Sequence, residues 1–245
     1  YDCQGVIETG SRSISCYGGE SHGQVDLNQA MTLSCNGYFV DIANKLGKEK
    51  LLKTAEAFGF NQDFIFPDLK LAASPLPLKG NVSGEKLAFI SIGQGEVQVT
   101  PLHMAMVASA IANDGIMMEP KLVYEVVGRN GRIQQKLQSK IYRKAMSREN
   151  AKIIQGMLEN VVNIGTGKGA AIKGWQVAGK TGTAEIDNGN SEIRNNAWFI
   201  GYVSGNKSKI AVAVVIEDLP AGQTGGKLAA PLAGKILKKA LDLGY

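Results

Sequence analysis

The stretch Ala178-Gly179-Lys180-Thr181-Gly182-Thr183-Ala184-Glu185 is the segment from which both the fold and the site can be worked out. If it forms a strand, Thr181 and Thr183 project to the same side, because successive side chains of a strand alternate between its faces. Two hydroxyls and a lysine on one strand edge are suited to binding a carboxylate. The segment therefore predicts an anion-binding strand.

A second motif, Ser34-Cys35-Asn36, lies far upstream of this segment. Asp26, followed three positions later by Gln29, is a capping pair that predicts a short helix ending just before the motif. Another helix is predicted over residues 38–46. Ser34 and Asn36 are therefore expected on a turn between two helices.

The composition of the 245 residues, 44% hydrophobic and 20% charged, is ordinary for a globular domain. The longest apolar run, residues 210–216, is far shorter than the roughly 20 residues of a membrane-spanning helix. The net charge is +5, but the Lys and Arg residues are scattered along the chain. This pattern indicates a solvated surface and predicts no nucleic-acid partner.

The cysteines and histidines show no metal-site spacing. Cys3, Cys16 and Cys35 are not arranged in zinc-ligand pairs, and His22 and His103 lie far apart in the sequence. The sequence therefore predicts no metal site and no cofactor. Cys3 and Cys16 are left open as a disulfide or two thiols, Cys35 is expected to be a small buried apolar side chain, and His103 is expected to be structural.

The order of the remaining elements favours an α+β fold in a single domain, residues 1–245, with a mainly helical region over 1–170 and the strands of an antiparallel sheet with a C-terminal helix over 171–245. Residues 1–24 and 61–83 have no clean period and are expected to be irregular. The more regular predictions are helices over residues 48–58, 100–114, 148–165 and 229–243, a hairpin around Asn130-Gly131, and strands over 197–203 and 209–217.

With these elements placed, eight blocks resemble the transpeptidase domain of class B penicillin-binding proteins, and they cover nearly the whole chain. They are His22-Gly23-Gln24-Val25-Asp26-Leu27, Ser34-Cys35-Asn36-Gly37-Tyr38-Phe39, Ile92-Gly93-Gln94-Gly95, Val99-Thr100-Pro101-Leu102, Ala112-Asn113-Asp114-Gly115, the lysine segment, Ala197-Trp198-Phe199 and Ala229-Ala230-Pro231. The resemblance implies a serine β-lactamase and transpeptidase-like fold, in which helices flank an antiparallel sheet beside an all-helical region.

The resemblance also implies an activity and partners. The activity is that of a D,D-transpeptidase, which cross-links peptidoglycan stem peptides ending in D-Ala-D-Ala through a serine acyl-enzyme that β-lactam antibiotics trap. The expected place of action is the extracytoplasmic face of a bacterial membrane, where a segment outside this chain anchors the protein. The cell-wall synthesis machinery is the expected partner.

Six residues acquire roles in this interpretation. Ser34, Asn36 and Lys180 would be catalytic: Ser34 passes a proton to the leaving amine, Asn36 contacts the substrate backbone, and Lys180 orders Ser34 and attracts the terminal carboxylate. Thr181, Gly182 and Thr183 would bind substrate. The two hydroxyls hydrogen-bond the carboxylate, the Thr183 N–H forms half of an oxyanion hole, and Gly182 leaves room for the helix that carries the nucleophile.

The third motif of the family, Ser-x-x-Lys, has no match in residues 1–33, where it is expected. Matches occur at Ser83-Gly84-Glu85-Lys86, expected to open a loop, and at Ser204-Gly205-Asn206-Lys207, expected in a hairpin turn. Neither suits a nucleophile, since serine and lysine must lie one turn apart on a buried helix.

We therefore expect no nucleophile in this chain. The chain is interpreted as the C-terminal portion of a transpeptidase domain, without the nucleophile helix and the first two strands. The remainder of the same protein is expected as a partner, either in the same polypeptide or as a separate chain. Residues 1–245 alone are expected not to react with β-lactams.

Three alternatives remain at this point. Gly174-Trp175-Gln176-Val177-Ala178-Gly179-Lys180-Thr181 fits the phosphate-binding loop of NTPases, although no helix is predicted after Thr181. A β-lactam sensor or β-lactamase of the same fold is the second alternative, and a catalytically inactive scaffold of the cell-wall machinery is the third.

Overall fold

The structure is a computed structural model that describes residues 1–187, 193–204 and 209–245. The predicted turn after Ser204, including Lys207, lies outside the described residues. Within them the fold is α+β, as predicted, with helices on both sides of an antiparallel sheet. The division of the domain at residue 170 stays a prediction.

The described helices are α1 (Leu27–Leu33), α2 (Asn36–Leu46), α3 (Lys48–Ala57), α4 (Gly84–Ser91), α5 (Pro101–Ala112), α6 (Arg148–Asn163) and α7 (Ala230–Asp242). The strands are β1 (Asp2–Cys3), β2 (Val6–Thr9), β3 (Arg12–Ser15), β4 (Gly23–Gln24), β5 (Phe64–Phe66), β6 (Leu69–Leu71), β7 (Ile116–Met118), β8 (Glu125–Val127), β9 (Ile133–Lys136), β10 (Ile141–Lys144), β11 (Val177–Asp187), β12 (Ile193–Ser204) and β13 (Lys209–Pro220).

The main sheet has the order β11-β12-β13 and is antiparallel throughout. Its β-branched and aromatic residues alternate between two buried faces, which suits strands covered on both sides. Phe199 and Val214 pack against Ala233 and Leu237 of α7 on one face. The opposite face packs against α5 and α6. The lysine segment therefore lies on an edge strand of a sheet that is held rigid from both sides.

Local capping signals explain the helix boundaries. Asp26 and Gln29 form the expected reciprocal capping box before α1. Thr100 caps α5 and Ser147 caps α6, each by accepting a backbone N–H of the first turn. The hairpin around Asn130-Gly131 is also confirmed, as β8 and β9.

Two expectations of irregular structure were wrong. Residues 1–24 contain the hairpin of β2 and β3, and β1 pairs with β4. These strands have two to four residues, too few for a period to show, and Ile14 is the one fully apolar side chain that β3 buries. Residues 61–83 contain the short hairpin of β5 and β6, which buries Phe64.

Ser83 was also misplaced, because it does not open a loop. Its hydroxyl accepts the N–H of Lys86 and caps α4, whose Leu87 and Ile90 are buried. The sequence Ser83-Gly84-Glu85-Lys86 is therefore a helix start.

Candidate active site

The two motifs that lie far apart in the sequence meet in the structure. Ser34 ends α1 and Cys35 immediately precedes α2, so the predicted turn between two helices is present. Lys180 reaches this turn from β11, and its Nζ donates a hydrogen bond to Ser34 Oγ. One groove therefore contains the Ser-x-Asn turn and the lysine strand.

A chain of hydroxyl groups continues from this contact. Ser34 Oγ lies 3.2 Å from Thr166 Oγ1, which lies 2.8 Å from Thr181 Oγ1. Lys180 Nζ also donates to the carbonyl of Thr181 at 3.1 Å, so the lysine side chain bends over the outer edge of β11. Thr166 was not singled out by the sequence, since the loop after α6 carries no motif of its own. Its glycine-rich surroundings, residues 165–169, were the available signal.

Lys180 is held in an environment that disfavours its charge. Desolvation by the surrounding protein lowers the pKa of its ammonium group from 10.5 to about 8. The lysine therefore remains largely protonated at neutral pH, where a nearby carboxylate of a ligand stabilises the charged form. A desolvated cation beside three hydroxyls is a strong site for a carboxylate.

Thr183 lies two residues further along β11. Its Oγ1 accepts the N–H of Gly225 at 3.2 Å, which fixes the hydroxyl against the segment before α7. The predicted hydrogen bond from this hydroxyl to a substrate carboxylate stays a prediction.

The glycines beside Thr183 are required by close backbone approach. A Cβ on Gly225 would lie 2.2 Å from the carbonyl oxygen of Trp198 and 2.4 Å from that of Gly182. Gly182 is paired with Trp198, and a Cβ there would lie 3.2 Å from Trp198 Cβ. The role of Gly182 toward a nucleophile helix stays a prediction.

Gln94 shapes the outer edge of β11. Its Nε2 donates to the Thr183 carbonyl at 2.9 Å, and its Oε1 accepts the Glu185 N–H at 3.3 Å. The side-chain amide therefore takes the place of a neighbouring strand at this end of β11. In a strand the N–H and C=O of one residue point to the same edge, so the Thr183 N–H faces outward as well.

Asn36 is placed differently from Ser34. Its Nδ2 donates to the carbonyl of Ser15 at 2.8 Å, at the end of β3. Among the described residues, its side chain is thus anchored to the N-terminal hairpin and does not join the hydroxyl chain of Lys180. Its predicted contact with a substrate backbone stays a prediction.

A profile of the family described as penicillin binding protein transpeptidase domain matches residues 1–238. The chain belongs to this family.

Curated relatives of this transpeptidase chain are longer than it is. It is 35% identical to stage V sporulation protein D of Bacillus subtilis, covering 100% of this chain and 38% of that protein. It is 36% identical to peptidoglycan D,D-transpeptidase PbpA of Mycolicibacterium smegmatis, covering 90% of this chain and 45% of that protein. The chain thus spans about two fifths of the length of these relatives.

Solved structures show the same fold. The D,D-transpeptidase domain of a peptidoglycan glycosyltransferase from Eggerthella lenta has a TM-score of 0.87 and 35% identity, with 99% of this chain and 59% of that chain covered. The ceftriaxone acyl-enzyme complex of penicillin-binding protein A from M. tuberculosis has a TM-score of 0.87 and 32% identity, with 98% and 55% covered. The predicted family and fold are confirmed.

The phosphate-binding-loop alternative is wrong for this transpeptidase chain. Lys180 and Thr181 lie inside β11, which pairs with β12 along its whole length. A phosphate loop instead requires these residues to open a helix.

No described helix is long and apolar enough to cross a membrane.

The Ser-x-x-Lys match at Ser83 does not supply a nucleophile either. Ser83 caps α4, and Lys86 Nζ binds Glu96 at 3.0 Å instead of approaching the serine hydroxyl. Ser204, the first residue of the other match, ends β12, and Lys207 is outside the described residues. No nucleophile is therefore assigned among the described residues.

His103, predicted to be structural, is buried as expected. Its side chain is fully buried, Ser74 Oγ lies 2.7 Å from its Nδ1 and the Phe58 carbonyl oxygen lies 2.9 Å from its Nε2, and burial lowers its pKa. In β12, Phe199 is fully buried, whereas Trp198 is half-buried on the other side of the strand.

Sequence spacing did not reveal a cluster of four metal-binding side chains, and the absence of a metal site stays a prediction at this point. The structure brings Cys3, Cys16, His22 and Cys35 together, with their ligand atoms all within 4.8 Å of one another. The three cysteines are buried thiols, and Cys3 and Cys16 are not bonded, since their sulfur atoms are 3.7 Å apart. These four residues lie far apart in the sequence and are brought together by short strands, so their spacing in the sequence did not indicate the cluster.

Proposed function

We propose that the protein is a peptidoglycan D,D-transpeptidase that cross-links stem peptides ending in D-Ala-D-Ala through a serine acyl-enzyme. The hydrogen bond from Lys180 to Ser34 carries the proposal, because it joins the Ser-x-Asn turn to the lysine strand across 146 positions. Relatives named as peptidoglycan D,D-transpeptidases support it. The activity belongs to the whole protein, of which this chain provides the site described above.

The terminal carboxylate of the stem peptide binds at Lys180. The Lys180 ammonium group supplies the positive charge. The Thr181 hydroxyl, which lies beside the Thr166 hydroxyl, supplies a hydrogen bond. Thr183 contributes its outward N–H to the carbonyl of the bond that is cleaved, as one half of an oxyanion hole. The same carboxylate recognition accounts for β-lactam antibiotics as ligands, since they present a carboxylate beside a reactive amide.

Ser34 moves a proton in this mechanism. The nucleophilic serine gives its proton to the lysine of its own Ser-x-x-Lys as it attacks the carbonyl carbon of the penultimate D-Ala, and the amide C–N bond breaks as the terminal D-Ala leaves. The leaving amine takes a proton from the Ser34 hydroxyl, which Lys180 replenishes. The amine of a second stem peptide then attacks the ester and gives its proton through Ser34 to Lys180, while the lysine of the Ser-x-x-Lys returns a proton to the released serine as the cross-link forms.

The stem peptide lies along the outer edge of β11 by strand addition. Gln94 already binds Thr183 and Glu185 on this edge, so it marks the end of the peptide groove. Asn36 binds the peptide backbone through its amide oxygen while its Nδ2 stays on Ser15.

The nucleophile belongs to a Ser-x-x-Lys in the remainder of the same protein, in one polypeptide or as a separate chain. This remainder also carries the membrane anchor, which places the site on the extracytoplasmic face beside the cell-wall synthesis machinery. The short share of the relatives' length that the chain spans is consistent with this proposal.

The test is covalent labelling of the full-length protein with a fluorescent penicillin. One stable adduct per protein is expected, and Lys180→Ala lowers its rate of formation by about 10²-fold. Lys173→Ala is the matched control, since Lys173 is an exposed lysine just before β11 and labelling stays unchanged. Rapid hydrolysis of the penicillin indicates a β-lactamase instead, a stable adduct without cross-linking of stem peptides indicates a sensor, and absence of an adduct indicates a scaffold.

A further inference from the structure

Four side chains with metal-binding atoms meet beside the Ser-x-Asn turn. The sulfur of Cys16 lies 3.7 Å from that of Cys3 and 4.0 Å from that of Cys35, and Cys3 Sγ lies 3.5 Å from His22 Nδ1. A tetrahedral zinc ion with bonds of about 2.3 Å to sulfur and about 2.0–2.1 Å to nitrogen places its sulfur ligands roughly 3.8 Å apart and its sulfur and nitrogen ligands roughly 3.6 Å apart. These three separations lie close to that geometry, and all four ligand atoms lie within 4.8 Å of one another.

The four residues come from four different segments. Cys3 lies in β1, Cys16 follows β3, His22 precedes β4, and Cys35 precedes α2. Pairing of Cys3 with Gly23 brings the first cysteine beside His22. The cysteines are 0–3% exposed and His22 is half-buried.

Backbone N–H groups lie near two of the sulfur atoms. Those of His22 and Gly5 lie near Cys3, and those of Gly37 and Asn36 lie near Cys16. Such N–H groups stabilise metal-bound thiolates and orient them, as supporting groups around metal ligands do.

We propose that Cys3, Cys16, His22 and Cys35 bind one Zn²⁺ ion in a closed, tetrahedral structural site. The three thiols lose their protons to solvent on binding, and the neutral imidazole binds through Nδ1, so no oxidant is needed. Three thiolates and one imidazole favour zinc over hard cations, and four protein ligands leave no open position for catalysis.

The site holds the catalytic turn in place. Cys35 stands between Ser34 and Asn36, so a bond from its sulfur to the metal fixes the peptide units on both sides. Asn36 Nδ2 already donates to the Ser15 carbonyl, one residue before Cys16. The metal thus ties the turn to the N-terminal hairpin and positions Ser34 for Lys180.

Metal content is the first test. Full-length protein purified without chelator contains about one zinc ion per chain by plasma mass spectrometry, and Cys16→Ser and His22→Gln each lower this to less than about one tenth. Glu20→Gln is the control, because Glu20 is exposed in the same loop, and its zinc content stays at the wild-type level. Wild-type protein without zinc, or ligand variants that retain it, would overturn the proposal.

A second test does not depend on the variants being folded. Wild-type protein stripped of metal by a chelator and loaded with Co²⁺ develops a near-ultraviolet thiolate charge-transfer band and the intense visible bands of a tetrahedral site. The metal also raises its Tm relative to the stripped protein. Octahedral cobalt spectra, or a Cys3–Cys16 disulfide in the purified protein by intact mass, contradict the proposal. Neither readout depends on transpeptidase activity.

Discussion

Ser34 combines an unusual backbone conformation with a side chain in the proposed active site. It adopts a left-handed conformation, with φ 56° and ψ 47°, which costs a residue other than glycine roughly 1–2 kcal/mol. Its N–H is directed to the carbonyl of Met31, and the next N–H, of Cys35, donates to Ala30 at 2.9 Å. These bonds end α1 and aim the Ser34 hydroxyl at Lys180. A strained conformation at a functional turn is compensated by the contacts around it.

The lowered pKa of Lys180 predicts a pH dependence. Lys180 is positively charged below its pKa of about 8 and neutral above it, so the acylation rate with an anionic β-lactam falls roughly tenfold per pH unit above that value. The measurement is the second-order acylation rate of the full-length protein between about pH 6 and 10.

Lys180→Arg is the control for this pH effect. A guanidinium stays charged at all of these pH values, so any residual acylation no longer falls above pH 8. A flat wild-type acylation profile would contradict the assignment of Lys180.

The free energy of unfolding changes with pH in the opposite direction to the acylation rate. Between about pH 8 and 10.5 the unfolded chain binds the Lys180 proton and the folded chain does not, so the free energy of unfolding rises with pH in that window.

Thr166 is predicted to position its neighbours. Thr166→Val keeps the shape but removes the hydroxyl between Ser34 and Thr181, so the acylation rate falls about three- to tenfold, as expected for one hydrogen bond. Thr54→Val removes an exposed hydroxyl that donates within α3 and leaves the rate unchanged. Equal rates in the two variants would show that the Thr166 hydroxyl does not contribute.

At the scale of elements, strand β11 shows which features the sequence could predict. Its strand character follows from alternation, and the carboxylate site proposed on it follows from Lys180 and Thr181. The partners of that strand could not be read from the sequence. Thr166 and Gln94 reach β11 from loops and Gly225 from the short π-helical turn Gly225–Ala229, and such segments carry no period that would place them in space.

Gly225 is predicted to be required for close packing against β11 and β12. Gly225→Ala places a methyl group against the carbonyls of Trp198 and Gly182, so β11 and β12 must shift and the free energy of unfolding falls by about 1–3 kcal/mol. The acylation rate falls with it, because Thr183 loses its fixed position. Thermal unfolding of the full-length protein measures the first effect.

Gly156→Ala is the matched control for Gly225→Ala. Gly156 lies in α6, and a Cβ there meets no atom within 4 Å. Replacing it with alanine raises the free energy of unfolding by about 0.5–1 kcal/mol through the helix propensity of alanine. If both variants have the same stability, close packing at Gly225 is not the reason for the glycine.

For the whole molecule, the sequence predicted the long helices and the three-stranded sheet, because capping residues and periods extend over many positions there. It failed where contacts join short segments. The two-residue strands β1 and β4 and the cluster of Cys3, Cys16, His22 and Cys35 form only when the N-terminal hairpin folds against α2. The contact between Ser34 and Lys180 was predictable because each end carries its own motif.

The position of the nucleophilic serine can be tested directly. In the full-length protein, the peptide labelled by penicillin maps outside residues 1–245, and a chain of residues 1–245 forms no adduct. The physical reason is that Ser83 caps α4 while Lys86 binds Glu96, and that Ser34, the proposed proton carrier, accepts a hydrogen bond from Lys180. Intact-mass analysis followed by peptide mapping makes the measurement, with full-length protein as the control for reactivity. A label on Ser34, Ser83 or Ser204 would contradict this assignment and make that serine the nucleophile.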